Sequence, residues 1–147
     1  MAIWQYDMFL VGEENALPLP KDDGWELPQL LAASTLNAQR TLVGSMGNPW
    51  LMMEDWILFG SEVGTRVDLL FDSDKVEILI RLDASATERE LNAVCSFVGE
   101  LNGRLFDPAT RTLLQPDRTT LASALATSRA AAFSQSPRSY LSGQSRG

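Results

Sequence analysis

A chain of 147 residues with 45% hydrophobic and 21% charged side chains has the size and balance of one globular domain that buries its own core. It holds no histidine and one cysteine, which excludes Ser-His-Asp and Cys-His catalysis, histidine-containing or four-cysteine zinc sites and any internal disulfide. The net charge of −7 is uneven: residues 1–84 carry 14 acidic and 5 basic side chains, whereas residues 85–147 come to +2. That balance argues against nucleic acid, which needs clustered Lys and Arg, and suits a basic protein partner.

The opening segment "MAIWQYDMFLVGEENALP" has no basic leader and no small-residue cleavage site, and no apolar run is long enough to span a bilayer. A cytoplasmic protein without membrane contact is expected, and the lone Cys95 fits a reducing compartment. In chain order, "IWQYDMFLV" (3–11) alternates as a strand, with Trp4, Tyr6, Met8 and Leu10 on one side and Phe9 and Val11 on the other. The Gly-, Pro- and acid-rich stretch 12–28 reads as a loop, and Pro28 suits the first turn of a helix over 28–43. "GSMGNPW" (44–50) breaks the helix, and "LMMEDWILFG" (51–60) reads as one strand.

The most informative stretch is "RVDLLFDSDKVEILIRLD" (66–83). If the chain folds at "DSDK" with Asp72 opposite Lys75, Phe71 meets Val76, Leu69 meets Ile78 and Val67 meets Ile80. A one-residue slip would turn one apolar set to solvent, so the pattern fixes the register. Arg66, Asp68, Glu77 and Arg81, with Leu70 and Leu79 among them, fall on the other face, expected to be mostly solvated.

A helix follows within 83–103, started by a capping box at Ser85/Glu88 or Thr87/Glu90. Its apolar stripe is Leu91, Val94, Cys95, Val98 and Leu101, and Gly103 is its terminator. Residues 104–116 read as a short hairpin turning at "DPAT". Asp117 then caps a last helix, with Leu121, Ala122, Leu125, Ala132 and Phe133 turned inward. Tyr140 and Leu141 dock before a frayed tail, giving one domain over 1–141 and a tail over 142–147. The element order implies an α+β fold: an antiparallel sheet with helices packed on one face.

No residue pattern supplies an active site or a cofactor. "GSEVG" (60–64) lacks the lysine and glycine spacing of a phosphate loop. "DSD" (72–74) is explained as turn chemistry rather than metal binding, and Cys95 on the apolar stripe as a structural thiol. No metal, no cofactor and no enzymatic activity are expected. Trp25 and Trp50 differ from the other aromatics because each lies in a loop beside acids, as a partner anchor or a plug at the core's edge.

The array "WQYDMFLV", "EDWILFGSEVGTRVDLLFD", "VEILIRLDAS", "LFDPATRTLLQPD" and "SRAAAF" resembles small cytoplasmic immunity proteins of bacterial toxin loci, those paired with polymorphic or type VI secretion effectors. The resemblance implies a protein that binds a cognate toxin and blocks its active site; the alternative is a chaperone or adaptor for a secreted effector. The acidic half points to a toxin with a basic active-site surface. Acidic loops and strand ends supply the candidate contacts Asp22, Asp23, Trp25, Glu54, Asp55 and Glu62.

Overall fold

The computed structural model describes residues 5–12 and 17–135. Strand β1 (Gln5–Gly12) is followed by a small flap, β2 (Pro20–Lys21) and β3 (Gly24–Trp25), and by the short strand β4 (Leu30–Leu31). A 3₁₀ turn over Ala32–Thr35 leads into α1 (Leu36–Met46). Then come β5 (Trp50–Met53), β6 (Trp56–Gly60), β7 (Arg66–Asp72), β8 (Lys75–Asp83), α2 (Glu88–Glu100), β9 (Gly103–Asp107), β10 (Thr112–Leu114), α3 (Arg118–Ala126) and α4 (Arg129–Gln135). Trp4, Tyr140, Leu141 and the 142–147 tail lie outside the described residues.

The main sheet runs β10-β9-β1-β8-β7-β6-β5, every pairing antiparallel, with β4 added against β8. This is the expected α+β class. The β7–β8 hairpin has the register its sequence demands: Phe71 pairs with Val76, Leu69 with Ile78, Val67 with Ile80, and Asp72 with Lys75. Ser73 turns the corner in the left-handed region at φ 60°. Val67, Leu69, Val76, Ile78 and Ile80 are fully buried, with Phe71 partly so at the hairpin end. They share one core with Met8 and Leu10 of β1, Leu42 of α1, Val94, Phe97 and Val98 of α2, and Leu121 of α3. The start of α2 follows from its capping box: Thr87 accepts from the Glu90 backbone N–H, and the Glu90 carboxylate accepts from that of Thr87.

Five expectations are corrected. Residues 28–35 do not begin the helix; Leu30 and Leu31 pair with Val76 and Lys75, and regular helix starts at Leu36. Pairing with the first residues of β8, which β1 leaves open, outweighs the preference for Pro28 at a helix's first turn. Residues 51–60 form a hairpin, because Glu54 and Asp55 interrupt two apolar runs and supply the turn between β5 and β6. Gly103 is not the terminator of α2 but the first residue of β9; Asn102, at φ 50°, takes the left-handed position. The last helix is broken at Thr127–Ser128, so Ala130 and Ala131 are buried while Ala122 and Ala132 are exposed.

The fifth correction concerns the other face of the sheet, which is not mostly solvated. Arg66 and Asp68 are 4% and 0% exposed; Leu58, paired with Asp68, is fully buried, as are Val11 and Phe106 farther across the sheet. Arg66 donates to Asp68 at 2.9 Å, and the Trp56 indole N–H donates to the same carboxylate oxygen at 3.1 Å. Mutual neutralisation lets this pair sit under cover where single charges could not. The β2–β3 flap closes part of this face, with Trp25 edge-on against Phe106 at 4.9 Å between ring centroids.

A candidate partner interface

The β5–β6 hairpin forms one end of the sheet, and α1 runs alongside it in the opposite direction. The two are joined by the exposed Gly47–Asn48–Pro49 link. α1 packs over β6, and its last residue, Met46, presses on Gly60 so closely that a Cβ there would lie 2.7 Å from Met46 Cε. Thr41 faces α2, donating its hydroxyl to Glu100 at 2.6 Å. Leu36 and Val43, spaced two helical turns apart, therefore occupy the opposite flank, on the side of β5. They are 55% and 39% exposed, and Leu51 and Met53 on β5 are each 65% exposed. Leu36, Val43 and Leu51, whose partner Ile57 faces the core, thus form an apolar strip between a helix flank and an edge strand; Met53, opposite Trp56, is exposed on the other face of the same edge.

Acids rim the strip. Glu54 and Asp55 turn the hairpin at one end. Asp72 and Asp74 lie at that same end, where the Asp55 carbonyl accepts from the Phe71 N–H. Glu62 stands in the turn after β6 at the other end. All five are exposed, and Lys75 is the exposed base among residues 48–75, since Arg66 is committed to Asp68. Apolar surface within a charged rim is the usual anatomy of a protein-docking site.

Of the six candidate contacts, Glu54, Asp55 and Glu62 thus border one surface. Asp22, Asp23 and Trp25 do not join them: the flap lies over β9, and β1, β8 and β7 intervene before β6, roughly 19 Å of sheet at ~4.8 Å per strand. Asp22 and Asp23 are exposed at the flap's turn, with Lys21 3.8 Å from Asp23. Trp25 is half-buried against Phe106, and the Arg111 guanidinium lies 5.5 Å from its ring, so it plugs the second face. The exposure of Leu36, Val43, Leu51 and Met53 was missed, because an apolar run in sequence looks the same whether it faces the core or open water. The signal available was the Glu54–Asp55 break, which marks two strands and a turn; that β5 is the edge follows from the sheet order alone.

A separate cleft of about 710 Å³ opens where β1, the β9–β10 turn and the α3–α4 junction meet, lined by Tyr6, Asp7, Asp107, Thr112, Ser128 and Arg129 among others. Its polar groups serve the fold. Tyr6 donates to Asp107 at 2.5 Å, and the other Asp107 oxygen accepts from the backbone N–H groups of Ala109 and Thr110. Burial, and the Asp107 carboxylate with it, holds the Tyr6 phenol far above its ordinary pKa, so it stays a donor. Among the described residues no group of three or more His, Cys, Asp or Glu could hold a metal ion.

Asp7 is the strained member. It is 8% exposed, neither carboxylate oxygen has a hydrogen-bond partner, and Arg81 Nε is 3.7 Å away. Burial raises its pKa, with Arg81 opposing in part. The native state therefore holds this proton more tightly than the unfolded chain, and stability falls as pH rises from the unfolded pKa through the folded one. Asp7→Asn is expected to remove that decline and to be more stable than the parent chain at neutral pH in urea unfolding. A less stable variant would show that the attraction to Arg81 prevails.

Cys95 lies half-buried on α2, its thiol pushed up to about 11 first by burial and then by the Asp117 carboxylate. Its thiolate fraction at neutral pH is then about a hundredfold below that of a free thiol. Thiol reagents are expected to label it slowly in the native chain and rapidly in denaturant. Native labelling as fast as unfolded labelling would restore it as a candidate nucleophile.

No family model, curated protein or solved structure matches this chain. Among the described residues no helix is long and apolar enough to cross a membrane.

Proposed function

We propose that this chain is an immunity protein that binds a cognate bacterial toxin, of the polymorphic or type VI secretion kind, and occludes its basic active surface in the cytoplasm. The observation that carries the reading is the exposed apolar edge, Leu36, Val43 and Leu51 on the side of α1 and Met53 on the other face of β5, rimmed by Glu54, Asp55 and Glu62. Apolar side chains supply desolvation, and the acids supply attraction to a surface that normally handles phosphate or another anion. An inhibitor of this kind needs no chemistry of its own, which agrees with the absence of histidine. The reading requires a toxin gene beside this one, and the test is co-expression of this chain with the product of the adjacent gene. Growth is restored if the reading holds. A toxin that still kills at excess chain, or one that is merely delivered or solubilised better, would replace it with the chaperone reading.

A further inference from the structure

We propose that the outer edge of β5 is a strand-addition site, at which an extended basic segment of the partner pairs with the backbone of Trp50–Met53 and lays apolar side chains on Leu36, Val43 and Leu51. The proposal rests on the inhibitor reading for the identity of the partner, and on the edge itself for the mode of binding.

β5 ends the sheet: among the described residues its inner side pairs with β6 and nothing pairs with its outer side. An open edge presents unpaired N–H and C=O groups, and proteins ordinarily blunt it with lysine, proline or an inward charge. Trp50–Leu51–Met52–Met53 itself contains none of these, though Pro49 precedes it and its shortness and bulge protect it in part, and Leu51 and Met53 are each 65% exposed. The register irregularity between Leu51 and Met53 and the four-residue length limit the backbone pairing available. The flank of α1 offers additional apolar contact: α1 packs over β6, the neighbour of β5, and Leu36 and Val43 are exposed on the flank away from α2, within reach of a segment added to the edge.

Charge selects the occupant. Glu54, Asp55, Asp72 and Asp74 lie at one end of the edge and Glu62 at the other, with Lys75 as the exposed base nearby. A second copy pairing antiparallel through β5 would bring the four-acid end of each chain against the Glu62 end of its partner. That juxtaposition repels, whereas a lysine- or arginine-bearing strand is attracted at both ends.

The probe is a short synthetic peptide of alternating valine and lysine, with a valine–glutamate peptide as control, added to the full chain at low salt and followed by amide hydrogen exchange. Exchange within residues 50–53 is expected to slow by about tenfold or more at saturation, the effect fading with added salt and absent with the glutamate peptide. Leu51→Pro and Met52→Pro are tested separately. Both are needed because the irregularity between Leu51 and Met53 breaks the regular alternation of N–H directions; the substitution that removes an outward N–H is the one that spares the pairing to β6. The variant that retains the parent exchange pattern elsewhere is expected to lose peptide-dependent protection. The proposal is overturned by equal binding of the glutamate peptide, by no binding at millimolar peptide, or by protection falling on Asp22–Trp25 or on the cleft beside Asp7. It is also overturned by concentration-dependent self-association that protects residues 50–53, which would make a second copy the occupant. Toxin rescue is read separately: a chain that restores growth but fails here inhibits through another surface, and one that binds the peptide but does not rescue has the edge without the inhibitory role.

Discussion

Asp68→Ala is expected to destabilise the fold by about 3–5 kcal/mol, because it strands the Arg66 guanidinium in a buried site without its counter-charge. Arg66 is 4% exposed and donates to Asp68 and to the Glu62 carbonyl; once Asp68 is gone, water cannot replace the carboxylate there. The same carboxylate anchors the Trp56 indole on β6, so its loss also loosens the hairpin that bears the proposed interface. Thermal unfolding is expected to fall by roughly 10–16 °C at the entropy typical of a chain this size. The control is Arg66→Met with Asp68→Leu: replacing both partners by apolar groups leaves no orphan charge and is expected to recover most of the loss. If Asp68→Ala costs less than about 1 kcal/mol, the pair is solvated in a way its burial contradicts, and the second face is not a sealed layer.

Charge reversal at the edge has the largest expected effect on function. Glu54→Lys, Asp55→Lys and Glu62→Lys together change the local charge by six units, and all three side chains are exposed, so the fold is expected to tolerate them. The association rate with a basic partner is expected to fall by about tenfold or more at low salt, with the difference shrinking as ionic strength rises. Reversal of Asp22 and Asp23 serves as the comparison. It alters the net charge of the chain in the same direction but sits over β9, so its effect is expected to be smaller. Leu51→Ser with Met53→Ser acts on the other half of the interface and is expected to speed dissociation with little change in association rate. Equal effects from both acidic groups would mean that only overall charge matters, and the edge would lose its special position.

The parts of this fold that sequence revealed are those in which one pattern had one physical solution. The β7–β8 register was legible because Val67, Leu69 and Phe71 must lie over Ile80, Ile78 and Val76 for both apolar sets to share a face. The cap at Asp117 was legible, and that of α2 narrowed to Ser85 or Thr87, because a side-chain acceptor just before an apolar-periodic run has a local purpose; the structure selects Thr87. Leu30 and Leu31 were lost to a helix reading, because their pairing with β8 depends on residues more than forty positions away. The buried Arg66–Asp68 pair was read as surface, since each residue alone looks solvated and only the partner and Trp56 make burial tolerable.

The candidate interface was half legible for a related reason. Glu54, Asp55 and Glu62 announced themselves as charges in turns. Leu51 and Met53 did not, because their exposure follows from β5 being the last strand of the sheet, a property of topology that no local window contains. Trp25 shows the opposite error. Acids and glycine around it suggest an open loop, yet its ring has a core partner in Phe106, far along the chain.

The most direct measurement of the central claim is a titration of the purified product of the adjacent gene, expected to be a toxin, with this chain, reading toxin activity on its own substrate. The account predicts activity falling to zero at an equimolar ratio, with the Glu54, Asp55 and Glu62 reversal shifting the curve to excess inhibitor and the Asp22, Asp23 reversal leaving it nearly in place. Undiminished toxin activity at a large excess of the folded chain would contradict it.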